Sequence, residues 1–206
     1  MAEYEDETSS SKESDEDFSF ERQFLLAHNK YRKKHDAPEL TLSEELSELA
    51  QRWAEKLAAR QYMAYCELAG MSGLTEFPLI DGLVLGIGEN ITFFPAHMTP
   101  QQIVDYWYTE HRKYEYETPG WQTGSNYFTQ LIWRSTKEIG VGRKILPATE
   151  CENGSLKLAK PQQNGTAISE DKQIVVAFYR PAGNSNRPGL FAANVRKPVG
   201  DIDNHG

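Results

Sequence analysis

QIVVAFYR, residues 173–180, decides the fold class, because its six central residues are all apolar. An uninterrupted apolar run of this length is typical of a strand in the middle of a sheet. A second β-rich run covers residues 139–146, so we predict two central strands. Asn153-Gly154 and Asn164-Gly165 lie between these runs and have the residue types of tight hairpin turns.

A helical pattern begins well before these strands. Apolar residues spaced 4, 3 and 4 positions apart from Phe20 to Tyr31 predict a first helix. We expect it to end near His35-Asp36, because Pro38 disfavours helical geometry in the residue before it. Thr41 followed by Glu44 has the spacing of a capping box and predicts a second helix.

The second helix should run to about Tyr62 on the spacing of its apolar residues. Thr99 as N-cap, followed by a proline at the first helical position, predicts a third helix. A strand at residues 89–94 and a short helix at residues 127–133 complete the predicted elements. Helices that bracket a hairpin-joined sheet predict an α/β/α three-layer sandwich with a mixed, mostly antiparallel sheet.

Charge is distributed unevenly along the 206 residues. Residues 1–17 contain eight acids and one lysine, so they account for −7 of the net charge of −8. We predict a disordered acidic tail over 1–17, one domain over 18–200 and a disordered C-terminus over 201–206. The near-neutral domain argues against nucleic-acid binding, which depends on basic residues that neutralise phosphates.

The N-terminus lacks the basic start and the apolar run of a signal peptide. The only cysteines are Cys66 and Cys151, which is too few for a disulfide framework and favours a reducing compartment. We therefore expect a soluble cytoplasmic protein without a disulfide, and we leave open whether it forms a homodimer.

Four segments carry a resemblance to a known family. They are His28-Asn29-x-Tyr31-Arg32, Gly88-Glu89-Asn90-Ile91, the stretch from Asn126 to Trp133, and Phe178-Tyr179-x-Pro181-x-Gly183-Asn184. In this order they resemble the CAP superfamily of cysteine-rich secretory, antigen-five and pathogenesis-related proteins, over about residues 20–198. The chain is most similar to the intracellular Golgi-associated branch. This resemblance implies a sheet between helical layers, and relatives that sit on membranes and bind lipids.

The resemblance also implies a cleft in which two histidines and two glutamates hold a divalent metal such as zinc. The two acids match at Glu89 and at Glu110, which we place on the third helix. The histidine positions fall at Tyr127 and near Tyr65, the latter in a stretch that no motif anchors. A phenol with a pKa of about 10 must lose a proton before it binds zinc, so we predict no bound metal and no cofactor.

Tyr127 has a different use if no metal is bound. We predict that its hydroxyl donates a hydrogen bond to Glu89 or Glu110 in a metal-free polar cluster. We expect His28 to be a structural core residue and His111 to be a surface residue, since neighbouring helical residues do not share a face with Glu110.

The segment 64–87 is predicted to be a long loop with more apolar residues than a solvated loop needs. Two interpretations are equally supported: the loop covers a sterol or fatty-acid site, or it packs on the body of the domain. The residues that would form the lipid-binding loop are Leu74, Phe77, Leu79, Ile80 and Leu83.

These observations favour a non-catalytic protein that binds lipid or membrane surfaces and associates peripherally with the Golgi or other membranes. Two alternatives remain. The acidic tail recruits a basic protein partner, or Glu89 and Glu110 act as the paired carboxylates of a hydrolase. The hydrolase is the weaker alternative, because the family resemblance brings no such activity.

Overall fold

The computed structural model describes residues 19–67, 86–152, 155–158 and 171–200, with side chains over 19–59, 86–148 and 171–200. The elements in chain order are α1 (Phe20–Lys34), β1 (Thr41–Leu42), α2 (Glu44–Glu67), β2 (Gly88–Pro95), α3 (Pro100–Tyr108), a 3₁₀ helix (Thr109–Lys113), α4 (Asn126–Ile132), β3 (Glu138–Leu146), β4 (Thr149–Glu152), β5 (Ser155–Leu158), β6 (Lys172–Arg180) and α5 (Leu190–Asn194). The predicted disordered segments 1–17 and 201–206 lie outside the described residues.

The main sheet has the strand order β1-β3-β6-β2. β1 pairs with β3 in parallel, whereas β6 pairs antiparallel with both β3 and β2. β6 is therefore an interior strand, as its apolar run predicts, and its residues 173–179 are all buried. β4 and β5 pair antiparallel on either side of Asn153-Gly154, as predicted, while Asn164-Gly165 lies outside the described residues.

Side chains of β6 divide between two cores because alternate residues of a strand point to opposite faces. Val175, Ala177 and Tyr179 join the cluster formed with α1, α3, α4 and α5. Ile174, Val176 and Phe178 join the second cluster, formed with α2. The sheet is thus covered on both faces, which confirms the predicted α/β/α three-layer sandwich.

α2 lies unusually close to β3. A Cβ atom at Gly140 or Gly142 would overlap the backbone of α2, so only glycine permits this approach. Ser47 Oγ accepts a hydrogen bond from the Val141 amide at 3.2 Å, and Gln51 Oε1 accepts one from the Arg143 amide at 3.0 Å. Side chains of α2 thereby satisfy amides of β3 beyond the end of the short strand β1.

Two predicted features of α2 are wrong. Thr41 does not cap the helix, because it belongs to β1 and pairs with Glu138 of β3. Ser43 Oγ instead accepts a hydrogen bond from the Leu46 amide at 3.4 Å. The helix also continues past Tyr62 to Glu67, so the predicted loop begins inside α2. In contrast, the predicted cap of α3 is confirmed, with Thr99 and Gln102 in a reciprocal capping box.

No helix within the described ranges is both long and apolar enough to cross a membrane. The longest of these helices is α2, whose 24 residues include several charged side chains.

Arg32 of α1 is fully buried, and its guanidinium donates hydrogen bonds to backbone carbonyls. The four acceptors, at 2.8 to 3.1 Å, are the carbonyls of Pro38, Leu131, Trp133 and Thr136. Burial lowers the pKa of Arg32 to about 10, so the group stays cationic at neutral pH. A cation is thus held at the C-terminal end of α4, where the helix dipole favours positive charge.

Replacing Arg32 by methionine should destabilise the fold by about 3 kcal/mol or more, because three buried carbonyls and the carbonyl of Pro38 lose their donor. Arg32→Lys should be nearly as destabilising, since an ammonium cannot reproduce the forked geometry of a guanidinium. Urea unfolding gives the free energy of unfolding, and Lys33→Met on the exposed face of α1 is the matched control, expected within about 0.5 kcal/mol of wild type. Equal stability of the Arg32 and Lys33 variants would contradict this role.

Candidate functional site

Glu110 was predicted to lie on α3. It lies instead in the 3₁₀ helix that follows α3. Its Oε2 atom accepts hydrogen bonds from the amides of Tyr127 at 2.9 Å and Phe128 at 3.2 Å. These amides belong to the first turn of α4, where amides have no partner within the helix. Burial raises the pKa of Glu110, while the two amides and the ammonium of Lys113 act in the opposite direction.

Tyr127 is held by both its ring and its hydroxyl. The ring stacks on Trp107 with 5.7 Å between centroids, and the hydroxyl donates a hydrogen bond to the Ile91 carbonyl at 2.8 Å. Ile91 belongs to β2, the outer strand of the described sheet. The predicted hydrogen bond from this phenol to Glu89 or Glu110 is therefore wrong, because the hydroxyl donates to the Ile91 backbone carbonyl instead.

Glu89 and Asn90 are adjacent in β2 and point to opposite faces of the sheet. Asn90 is buried, and its Nδ2 atom donates hydrogen bonds to the Tyr127 carbonyl and the Tyr179 hydroxyl, both at 3.2 Å. Glu89 is exposed, so solvent screens its charge even though partial desolvation raises the pKa of its carboxylate.

The structure thus brings together two of the four predicted cleft residues. Glu110 and Tyr127 are linked through the backbone of α4, whereas Glu89 projects from the other face of β2. Tyr65 lies near the end of α2, and its side chain is outside the described residues. The predicted lipid-loop residues also lie outside them: Leu74, Phe77, Leu79, Ile80 and Leu83.

His28 is a core residue, as predicted, and begins a buried hydrogen-bonded chain. Its Nδ1–H donates to the Phe24 carbonyl at 2.9 Å, so Nε2 accepts from the Tyr179 hydroxyl at 2.8 Å. Asn90 donates to the same hydroxyl and continues the chain to the Tyr127 carbonyl. Four elements, α1, β6, β2 and α4, are joined in this way.

The ionisation states of His28 and Tyr179 in this hydrogen-bonded row follow from their burial. Burial lowers the pKa of His28 to about 3, with the nearby positive charge of Arg32 adding to the effect. Burial also raises the pKa of the Tyr179 phenol above its ordinary value. Both groups are therefore neutral at physiological pH, which matches the donor and acceptor roles they have in the chain.

The other histidines show where sequence reasoning fell short. His111 is half-buried rather than on the surface: its ring stacks on Tyr108 at 4.4 Å, and its Nδ1–H donates to the Tyr108 carbonyl. His35 is buried and links the Arg196 carbonyl to the Tyr108 hydroxyl. Its position beside a predicted helix end gave no signal of this contact with a residue 161 positions later.

The residues at the cleft do not fit a zinc site of the kind that the resemblance implies. In the part of the chain that the structure describes, no group of three or more His, Cys, Asp and Glu residues is arranged to hold a metal ion. Zinc prefers imidazole, thiolate and carboxylate donors, and Tyr127 offers a phenol that already donates to Ile91.

Protonation of His28 should destabilise the fold at acid pH. The pKa of His28 is about 3 when folded and about 6.5 when unfolded, so the unfolded chain binds the proton more tightly. The stabilisation is complete above about pH 6.5 and falls by up to about 1.4 kcal/mol per pH unit towards pH 3. Urea unfolding from pH 7 to pH 4 should therefore show a shallower decline for His28→Gln than for wild type. Parallel declines would contradict a neutral buried imidazole.

Comparisons with known proteins agree with this fold. A model of the Cysteine-rich secretory protein family, CAP, matches residues 25–154. The chain is 29% identical over 179 residues to human Golgi-associated plant pathogenesis-related protein 1, covering 87% of this chain and 94% of that protein. It is 31% identical over 126 residues to protein PRY2 of Saccharomyces cerevisiae, covering 61% of this chain and 32% of that protein.

A solved structure supports the same assignment at the level of the fold. Venom allergen-like protein 4 of Schistosoma mansoni superposes with a TM-score of 0.51 at 19% identity, covering 87% of this chain and 96% of that one. The family match extends over more than half of the sequence and includes His28, Glu89, Glu110 and Tyr127. The chain therefore belongs to the CAP family of cysteine-rich secretory proteins.

Proposed function

We propose that this CAP-domain protein is a non-catalytic module that binds a sterol, a fatty acid or a membrane surface and holds no metal. The observation that carries the proposal is that the described cleft groups serve the fold. The Glu110 carboxylate accepts the first amides of α4, and the Tyr127 hydroxyl donates to the Ile91 carbonyl. Both groups therefore have backbone partners within the fold.

The hydrolase alternative requires two carboxylates that flank one substrate about 5 to 10 Å apart. Glu89 is exposed on the face of β2 opposite to the one where Asn90 contacts α4, while Glu110 is tied to α4. This arrangement favours binding over paired-carboxylate catalysis, in agreement with the generally non-enzymatic character of the family.

Support for a lipid ligand comes from apolar residues on both sides of Gly86. Gly86 lies within the apolar-rich segment 64–87, which also contains Ile87, and the following strand β2 carries Ile91 and Phe93. Ile87 and Ile91 are half-buried beside the core formed with α2, and Phe93 is 36% exposed. These side chains would border a ligand covered by the apolar segment 64–87.

The membrane setting rests on the relative's name. The human relative that matches over 94% of its length is called Golgi-associated. We propose a peripheral position on the Golgi or a similar membrane for this chain as well.

A second candidate function rests on the acidic segment. Residues 1–17 hold −7 of the net charge, which suits electrostatic recruitment of a basic protein partner. Deleting this segment should abolish such recruitment and leave the uptake of lipid unchanged.

The purified full-length chain should take up a fluorescent sterol or fatty acid in a direct titration. Phe77→Asp with Leu79→Asp should weaken that binding at least tenfold, since burial of one large apolar side chain contributes about 1.5 to 3 kcal/mol. Leu42→Asp, at an exposed apolar position in β1, is the matched control and should bind like wild type. If wild type neither retains nor takes up sterol or fatty acid, the lipid proposal fails and the loop serves only to pack on the domain.

A further inference from the structure

The exposed face at the C-terminal end of α1 is strongly basic. Lys30, Lys33 and Lys34 are exposed there, within an arc of about 100° on the helix. Arg134, after α4, and Arg196, after α5, join them from other parts of the chain. We call these five side chains the α1 basic surface.

Asp36 fixes both arginines at the end of α1. Its Oδ2 atom lies 2.8 Å from Arg134 Nη1 and 2.6 Å from Arg196 Nη1, so one carboxylate serves two guanidinium groups. The Val199 amide donates to the Lys34 carbonyl at 2.6 Å, which places residues 196–199 against the last turn of α1. The fold therefore brings Arg134 and Arg196 to the C-terminal end of α1.

The lysines lie over an aromatic pair. The rings of Tyr31 and Tyr108 stack at 3.8 Å, and Lys34 Nζ lies 5.2 Å and 5.8 Å from their centroids. Lys30 Nζ lies 5.9 Å from the Tyr31 ring. The nearby Asp105 accepts a hydrogen bond from the Tyr31 hydroxyl at 2.6 Å. The α1 basic surface has five cations, and the two acids named beside it are Asp36 and Asp105. Positive charge is therefore in excess.

Helix electrostatics alone explain only part of this surface. Lysines in the last turns of a helix are favoured by the negative end of the helix dipole. That effect accounts for Lys33 and Lys34, but it does not bring Arg134 and Arg196 from two other segments to the same place. Asp36 holds the two arginines there, but its single charge does not balance two guanidinium groups and three lysines, and a negatively charged occupant would.

The chain itself supplies an occupant of opposite charge and sufficient length. Residues 1–17 carry −7 and join α1 through Ser19, the N-cap of the helix. Seventeen extended residues span up to roughly 56 Å, whereas the 15 residues of α1 measure about 22 Å. The acids of the segment can therefore reach the far end of the helix on which the segment begins.

We propose that residues 1–17 dock in cis on the α1 basic surface and run along the exposed side of α1. The attraction is electrostatic, so it weakens as salt shortens the Debye length from about 10 Å at 0.1 M to about 3 Å at 1 M. The tether supplies an effective concentration in the millimolar range, which lets a weak contact form. This inference is independent of the lipid proposal.

NMR amide spectra of the full chain and of a variant without residues 1–17 test the docking at low salt. We expect shift differences concentrated in the last two turns of α1 and in residues 196–199, and their loss in about 0.5 M NaCl. The full-length triple variant Lys30→Gln, Lys33→Gln, Lys34→Gln should lose at least half of these differences. Near-UV circular dichroism checks that each variant keeps its tertiary packing.

Lys144→Gln with Lys172→Gln is the matched control. Both lysines are exposed. These lysines belong to β3 and β6 and lie outside the α1 basic surface, so their neutralisation should leave the shift differences in place. An equal loss in the control, or no shift differences in α1, would overturn the proposal. Differences that disappear on dilution would assign the contact to a second copy and overturn docking in cis.

Discussion

A buried row of hydrogen bonds from α1 to α4 fixes the geometry on which the rest of the molecule depends. It runs from His28 through the Tyr179 hydroxyl and the Asn90 amide to the Tyr127 carbonyl. In a low-dielectric interior such bonds are strong when every partner is present, and costly when one is missing. Arg32, one turn further along α1, adds a buried cation that binds the carbonyls at the end of α4. One helix therefore holds α4 at both its ends.

The position of α4 in turn determines the chemistry of the cleft. With its first turn fixed by Asn90 and Glu110, α4 places the Tyr127 ring on Trp107 and the hydroxyl on the outer strand β2. A histidine at position 127 would have a nitrogen available for a metal, whereas the phenol stabilises the sheet edge. The same backbone arrangement therefore serves a different purpose, and Glu110 supports the fold by accepting the first amides of α4.

Features that depend on local sequence were predictable. The apolar run of β6 and the Thr99-Pro100 start of α3 both agree with the structure, because burial and capping act over a few residues. Thr41 misled the prediction, since pairing with β3 took precedence over its propensity to cap a helix. The partners of Arg32 could not be predicted from local sequence, because three of its four acceptor carbonyls lie about a hundred residues later in the chain.

The contacts of the proposed cleft residues could not be predicted from the sequence. The structure links Glu110 and Tyr127, which the motifs singled out, but their hydrogen bonds go to backbone atoms, which no side-chain pattern encodes. Titrating zinc into the metal-free full-length protein by calorimetry, followed by metal analysis after dialysis, tests most directly whether a phenol at this position leaves the cleft without a metal. We predict no binding heat above that of a Glu89→Gln, Glu110→Gln double variant and no retained zinc. Stoichiometric zinc in the wild type that is lost in the double variant would contradict this account.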